Sequence, residues 1–324
     1  MVTRILVTGG AGFIGSHYVR SVLEGKHEEV RVTVLDKLTY AGNPNNLREV
    51  RDDRRLTFVR GDICDARLVD GLVRRADQVV HFAAESHVDR SLFGADTFVR
   101  TNVLGTQTLL NAALRHGLER FVHISTDEVY GSITAGSWTE DHPVQPNSPY
   151  AASKASSDLV ALSYHHTHGL DVRVTRCCNN YGPHQFPEKV IPLFVTNLLE
   201  GRKVPLYGDG RNVREWLHVG DHVRGVELVR TGGSPGEIYN LGGGTELTNR
   251  ELTGMLLAAC GAGRHMVEHV PDRLGHDLRY STDWTKARDE LGYRPRTDFA
   301  AGLGETVAWY REHHDWWAPL KHAG

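Results

Sequence analysis

Through the first 176 residues, short apolar runs rich in β-branched side chains alternate with longer stretches in which apolar positions recur every three or four residues. The short runs have the length of strands buried on both faces, and the longer ones have the period of helices packed along one stripe. Strands are predicted at Arg4–Thr8, Arg31–Leu35, Leu56–Arg60, Gln78–Phe82, Phe121–Ser125 and Val172–Arg176, with helices at Phe13–Leu23, Thr97–Leu114 and Ala151–Tyr164 between them. Strand-helix-strand units of this kind build an α/β fold around a doubly wound parallel sheet.

After about residue 177 the texture changes, because Tyr181-Gly182-Pro183, Gly208-Asp209-Gly210, Gly232-Gly233 and Gly242-Gly243-Gly244 punctuate shorter elements. A Rossmann-like unit is expected over 1–176, with about 215–241 returning to it, and a smaller C-terminal α/β lobe over about 177–214 and 242–324. Thr248 followed by Glu251 has the spacing of a capping box, which predicts a helix from about Asn249. A last helix is expected over Ala300–His314, ending in Trp316-Trp317.

Thirty-seven basic against 40 acidic residues in a chain of 324 give a formal charge of −3, and so no global field to attract nucleic acid or an anionic membrane. No apolar run reaches the roughly 18 to 20 residues of a membrane span, and the chain enters its first strand without a signal-peptide pattern, so a cytoplasmic protein is expected. The four cysteines form no C-x-x-C pair and are expected to be buried free thiols. The 19 histidines fall in no zinc-like spacing, and no metal is expected.

Thr8-Gly9-Gly10-Ala11-Gly12-Phe13-Ile14-Gly15 lies where the first strand turns into its helix. Gly9 suits a tight turn, Gly12 a close backbone approach to pyrophosphate, and Gly15 close packing of helix on sheet, with the helix N-terminus offering free N–H groups. Asp36 ends the second strand about 20 residues on, where a carboxylate accepts the ribose hydroxyls and repels a 2′-phosphate, which favours NAD over NADP. Asp62, after the third strand, is a candidate for the adenine edge or a plain surface acid.

Tyr150 and Lys154, at i and i+4 on one helix, share a face. An ammonium beside a phenol lowers its pKa, and the pair can then remove a hydroxyl proton. Ser125-Thr126-Asp127-Glu128-Val129-Tyr130-Gly131 ends a central strand at the edge where open α/β sheets hold ligands. Two adjacent carboxyls of different exposure can divide into an acid and a base, as an elimination requires.

These motifs, together with His81 to Asp89, Cys178 to Pro183, Pro187-Glu188-Lys189, Arg214-Glu215-Trp216 and Asp272 to Asp277, closely resemble those of the dTDP-glucose 4,6-dehydratases of the extended short-chain dehydrogenase/reductase superfamily. The likeness covers nearly the whole chain, and Thr126-Asp127-Glu128 discriminates most. C4 epimerases of the superfamily lack both acids, and its decarboxylases and GDP-mannose dehydratases show Thr-Ser-Glu. The resemblance implies a lyase that oxidises the sugar at C4, eliminates water across C5 and C6, and returns the hydride to C6. Tyr150 would take the C4 hydroxyl proton, Lys154 hold the phenolate, Thr126 bond the reacting oxygen, Glu128 remove the C5 proton and Asp127 protonate the leaving hydroxyl.

It further implies tightly bound NAD held by Gly9, Gly12, Phe13, Ile14, Gly15, Asp36, Lys37, Leu38, Thr39, Asp62, Ile63, Phe82, Ala83, Ala84, Ser86, Thr101, Tyr150, Lys154 and Asn180. The sugar nucleotide would meet Ser86, Thr126, Glu128, Asn179, Lys189, Val190, Pro205, Leu206, Tyr207, Arg214, Asn249, Arg273, His276 and Tyr280. A homodimer is implied through Thr97–Leu114 and Ala151–Tyr164 of each copy. Leu274, where the family has proline, and Gly220, where an acid is usual, are departures expected to loosen the nucleotide end. The competing readings are an epimerase or decarboxylase acting on a UDP-sugar and a catalytically idle NAD-binding sensor.

Overall fold

The structure is a computed structural model and describes residues 2–25, 29–273 and 275–322. In chain order its strands are β1 (Thr3–Thr8), β2 (Val30–Asp36), β3 (Leu56–Arg60), β4 (Gln78–His81), β5 (Arg120–Thr126), β6 (Val172–Cys177), β7 (Asn179–Tyr181), β8 (Val204–Tyr207), β9 (Val213–His218), β10 (Ile238–Leu241), β11 (Thr245–Thr248) and β12 (Val267–Val270). Seven of them form a parallel sheet in the order β10-β6-β5-β4-β1-β2-β3. The order reverses between β1 and β4, which opens a crevice at their C-terminal ends. Successive residues of β1 feed opposite faces: Ile5 and Val7 join one buried cluster and Leu6 the other.

The second core lies beyond this sheet. β7, β9 and β11 make a three-stranded sheet, β8 and β12 a parallel pair, and Ile191, Phe194, Trp216, Leu252 and Trp317 pack between them and the helices Val190–Leu199, Asn249–Cys260 and Phe299–Glu312. Thr248 and Glu251 make the reciprocal capping box, their backbone N–H groups bonding each other's side chains at 3.1 and 2.8 Å. Among the described residues no helix is long and apolar enough to cross a membrane.

Two of the expected helices depart from the sequence reading. The expected helix Thr97–Leu114 is an α-turn (Ala95–Phe98), a π-helical stretch (Val99–Gly105) and an α-helix (Thr106–His116). The wider π-turn turns Asn102 inward, where its amide bonds the backbone of Glu85 and Ser153 Oγ. The last helix stops at Glu312, and a further helix, His314–His322, carries Trp317 back into the second core. Cys177 and Cys178 are buried free thiols as expected, whereas Cys64 and Cys260 are only partly buried.

Candidate active site

A cavity of about 460 Å³ runs from the glycine turn, across the C-terminal ends of β1, β4 and β5, into the second core. At one end Gly9 has φ +71°, and a Cβ there would come within 2.6 Å of Ala83 N. A Cβ on Gly15 would strike Gly9 O at 2.2 Å. Gly12 is different: its nearest obstacle is Gly9 O at 3.3 Å, so the backbone is bare towards the cavity, at the N-terminus of Phe13–Glu24. Asp36 Oδ2 accepts the Ala11 N–H at 2.9 Å and Oδ1 the Leu38 N–H at 2.8 Å, which fixes the carboxylate at the cavity wall. Asn180 Oδ1 and Gln185 Oε1 are buried there with no partner among the described residues, acceptors facing a ligand's space. Bare glycine backbone, a fixed acid and open acceptors fit a dinucleotide.

At the centre, Tyr150 and Lys154 rise from the helix Pro149–His168, whose N-terminus is capped by Ser148 at 3.1 Å. Lys154 Nζ donates to Ile124 O at 2.7 Å, and burial lowers its pKa to about 8. Tyr150 does not follow the sequence expectation. Burial, then the nearby charge of Glu128, raises its pKa well above the usual phenol value, against the opposing hydrogen bond from Thr126. Asp127 is 1% exposed, and burial first, then Glu128 and Glu215, raise its carboxyl well above the carboxylate range. Its Oδ1 accepts from Thr126 Oγ1 at 3.3 Å, while no described residue bonds Oδ2. Glu128 is raised by burial but drawn back by Lys189, Arg214 and Arg273. Asp127 is thus set up as a proton donor and Glu128 as an ionisable base facing the same cavity.

The far end is cationic and stitched by ion pairs. Arg214 is 8% exposed, donates to Val213 O and Asp277 O, and lies 4.2 Å from the Tyr280 ring. Arg273 pairs with Asp89 at 2.6 Å, and Lys189 donates to Ser86 O at 2.7 Å. Glu188 gathers Tyr40 at 2.9 Å and Arg90 at 3.4 Å, so the loop after β2 and the short helix Val88–Phe93 are tied to the segment before Val190–Leu199.

Of the residues singled out from sequence, all but three line this cavity. Leu38 turns away at φ +56° and contributes its N–H to Asp36. Asp62 pairs with Lys37 at 2.8 Å. Leu206, 4% exposed, faces away from the cavity, because neighbours along β8 alternate and Pro205 and Tyr207 take the cavity side. Gly220 is not at the nucleotide end either: it opens the helix Val219–Gly232, where its N–H bonds His218 Nδ1 at 3.2 Å, apart from the cavity. Leu274 lies outside the described residues. Sequence reasoning gave no role to Asp89, Glu188 or Gln185. Asp89 and Arg273 stand 184 positions apart, a separation that carries no local signal. Among the described residues no group of three or more His, Cys, Asp or Glu is arranged to hold a metal ion.

The family described as GDP-mannose 4,6 dehydratase matches residues 6–306. A dTDP-glucose 4,6-dehydratase of Streptomyces antibioticus is 68% identical over 321 residues, covering 98% of this chain and 95% of its own. DesIV, a dTDP-glucose 4,6-dehydratase from Streptomyces venezuelae solved with NAD bound, superposes with a TM-score of 0.97 at 64% identity, covering 98% of this chain and 100% of that one. A UDP-glucose 4-epimerase of Thermotoga maritima, solved with UDP-glucose, shares the fold at TM-score 0.89 and 32% identity, over 96% of this chain and 99% of its own. The chain carries both Asp127 and Glu128 beside Tyr150 and Lys154, and it belongs to the dTDP-glucose 4,6-dehydratases of the extended short-chain dehydrogenase/reductase superfamily.

Proposed function

We propose that the chain converts dTDP-glucose to dTDP-4-keto-6-deoxyglucose and water, a lyase step of deoxysugar biosynthesis. The observation that carries this reading is the buried, unbonded Oδ2 of Asp127 beside Glu128, an acid-base pair for which an epimerase has no use. NAD, held by the glycine turn, Asp36 and Asn180, supplies the hydride acceptor at C4 and the donor at C6. Tyr150 removes the C4 hydroxyl proton, with the Lys154 ammonium balancing the phenolate and Thr126 bonding the oxygen as it becomes a carbonyl. The ketone acidifies C5–H. Glu128 takes that proton while Asp127 protonates the C6 oxygen, the C6–O bond breaks, and water leaves. Glu128 then returns its proton to C5. Tyr150 ends protonated and Asp127 ionised, and the Thr126 hydroxyl, hydrogen-bonded to both, bridges the two groups that must exchange the proton.

Arg214, Arg273 and Lys189 supply the positive charge for the diphosphate, and Pro205, Tyr207, Asn249, His276 and Tyr280 line the part of the cavity given to the nucleotide base and sugar. In this reading 1–176 with about 215–241 supply most of the cofactor contacts and the remainder most of the sugar-nucleotide contacts. The enzyme works in the cytoplasm as a homodimer, whose two copies pair the helices Thr106–His116 and Pro149–His168 and cover the exposed Val99, Leu104 and Leu159. Matched incubations with dTDP-glucose, UDP-glucose and GDP-mannose test the substrate: dTDP-glucose gives the 4-keto-6-deoxy product at the highest kcat/KM, and turnover of UDP-glucose to its C4 epimer would refute the reading.

A further inference from the structure

On the side of Lys154 away from the cavity lies a charged cluster that the proton chemistry above does not use. Asp158 is one helical turn beyond Lys154 on the same face, with its side chain fully buried. Its Oδ2 accepts from Arg176 Nε at 2.9 Å, and Oδ1 lies 3.3 Å from His123 Nε2. Arg176 in turn stacks 4.7 Å from the Tyr130 ring. His123 bonds Ser157 Oγ at 3.0 Å, and its ring is 5.3 Å from that of His81, which is fixed between Thr8 Oγ1 and Thr106 Oγ1 at 2.7 and 2.9 Å.

The charges follow from these contacts. Burial keeps both histidines neutral at working pH, His123 at about 4 and His81 well below its usual value. Cys177, the remaining titratable neighbour on β6, stays a thiol because burial pushes it up. Burial alone would raise Asp158, but His123, Arg176 and Lys154 bring it to about 2. Around Lys154, Asp158 is therefore the ionised acid, facing two cations.

Tyr150 and Lys154 share one proton when the pair is active, and that proton has two possible homes. Phenolate with ammonium and phenol with amine carry the same charge, so pH does not choose between them; the surroundings do. Burial favours phenol with amine at both positions, the arrangement in which Tyr150 itself cannot accept a substrate proton. Asp158 acts the other way, one turn from the ammonium and two from the phenol. We propose that Asp158 is a positioning residue that raises the share of the pair in which the proton sits on Lys154 and Tyr150 is the ionised base. The inference rests on the reading of Tyr150 as that base.

Lysine-selective ¹³Cε NMR on the NAD-loaded protein reads the Lys154 charge directly, with Lys154→Arg assigning the resonance. In the unaltered chain its midpoint falls at about 8. In Asp158→Asn it moves acidic by about one pH unit or more, as expected for losing an opposite charge at this range. Because Asp158→Asn leaves Arg176 buried without its partner, the double variant Asp158→Asn/Arg176→Gln removes both charges and keeps the shape; there the midpoint also moves acidic, because Asp158 and not Arg176 is among the charges that act on Lys154.

The C4 oxidation rate gives the second readout. At low pH it is unchanged, while the high-pH plateau drops by about tenfold for each pH unit that the midpoint moves, and the rising limb shifts acidic with it. Loss of a merely structural contact would lower the rate equally at every pH. A wild-type midpoint below neutrality, an unmoved midpoint in the folded double variant, or a uniform rate loss overturns the proposal. The NMR titration needs no substrate, so a failure of the assigned substrate would appear separately, as absent turnover with the Lys154 shift intact.

Discussion

The two ends of the cavity solve opposite electrostatic problems. Around Asp127, Tyr150 and Lys154 burial dominates, so acids are pushed towards protonation and the lysine towards neutrality. Around Arg273, Asp89, Arg90 and Glu188 opposite charges are paired at partly exposed positions, two of them on the short helix Val88–Phe93. The first arrangement places proton carriers in a buried site at a sheet edge, where their neighbours decide which of them is ionised. The second keeps ionic partners that a diphosphate can exchange for its own. Substitutions at the first end should therefore change rates, and those at the second should change affinity.

Tyr150→Phe puts the largest strain on that contrast. Removing the base should lower C4 oxidation by about 10²- to 10⁴-fold while leaving substrate affinity within a few-fold, as single-turnover absorbance of the reduced nicotinamide would show. An affinity loss with normal oxidation would reverse the assignment of the two ends. Next in size, Glu128→Gln should leave oxidation measurable and slow the loss of water by about 10²-fold or more. Normal dehydration by this variant would show that another group removes the C5 proton.

pH sharpens the same step. Glu128 must be ionised to act, and burial raises its pKa, so dehydration should fall as pH drops through that raised value, from a higher pH than for an ordinary glutamate. In Glu128→Gln this acid limb should disappear from the residual rate.

At the other end, Arg273→Gln should raise KM by about tenfold with kcat nearly constant. Asp89→Asn should do the opposite on a smaller scale, lowering KM a few-fold, because the guanidinium no longer has to leave an ionic partner. If both variants raise KM, the Asp89 pair orients Arg273 for the ligand instead of competing with it. The smallest effect is expected at Asp36→Asn: weaker NAD binding by about 1 kcal/mol and a narrower preference over NADP, read by titrating both cofactors.

The contrast also separates what the sequence reveals from what it conceals. The glycine turn, Asp36, Thr126-Asp127-Glu128 and Tyr150 with Lys154 are legible because each is a short segment at a strand end or on one helix face, where spacing alone fixes direction. Six strands of the large sheet were located to within a residue or so for the same reason. The π-turn at Val99–Gly105 was not, since it adds one residue to a turn without changing which residues are apolar. Nor were the Asp89–Arg273 pair and the Asp158–Arg176–His123 cluster beneath Lys154, which exist only once distant segments meet. Leu206 shows the finest limit: a one-residue alternation on β8 decides whether a side chain meets the ligand space or the core. The raised Tyr150 pKa was concealed too, because the sequence shows the lysine beside the phenol but not the burial around both.

The central claim is that a ketone made transiently at C4 enables elimination of the C6 oxygen, with the same hydride returned to the sugar. dTDP-glucose carrying deuterium at C4 tests it most directly, with the product analysed by NMR and mass spectrometry. The account predicts deuterium at C6 of the 4-keto-6-deoxy product; product that forms with its C6 hydrogens drawn only from unlabelled sources would contradict it.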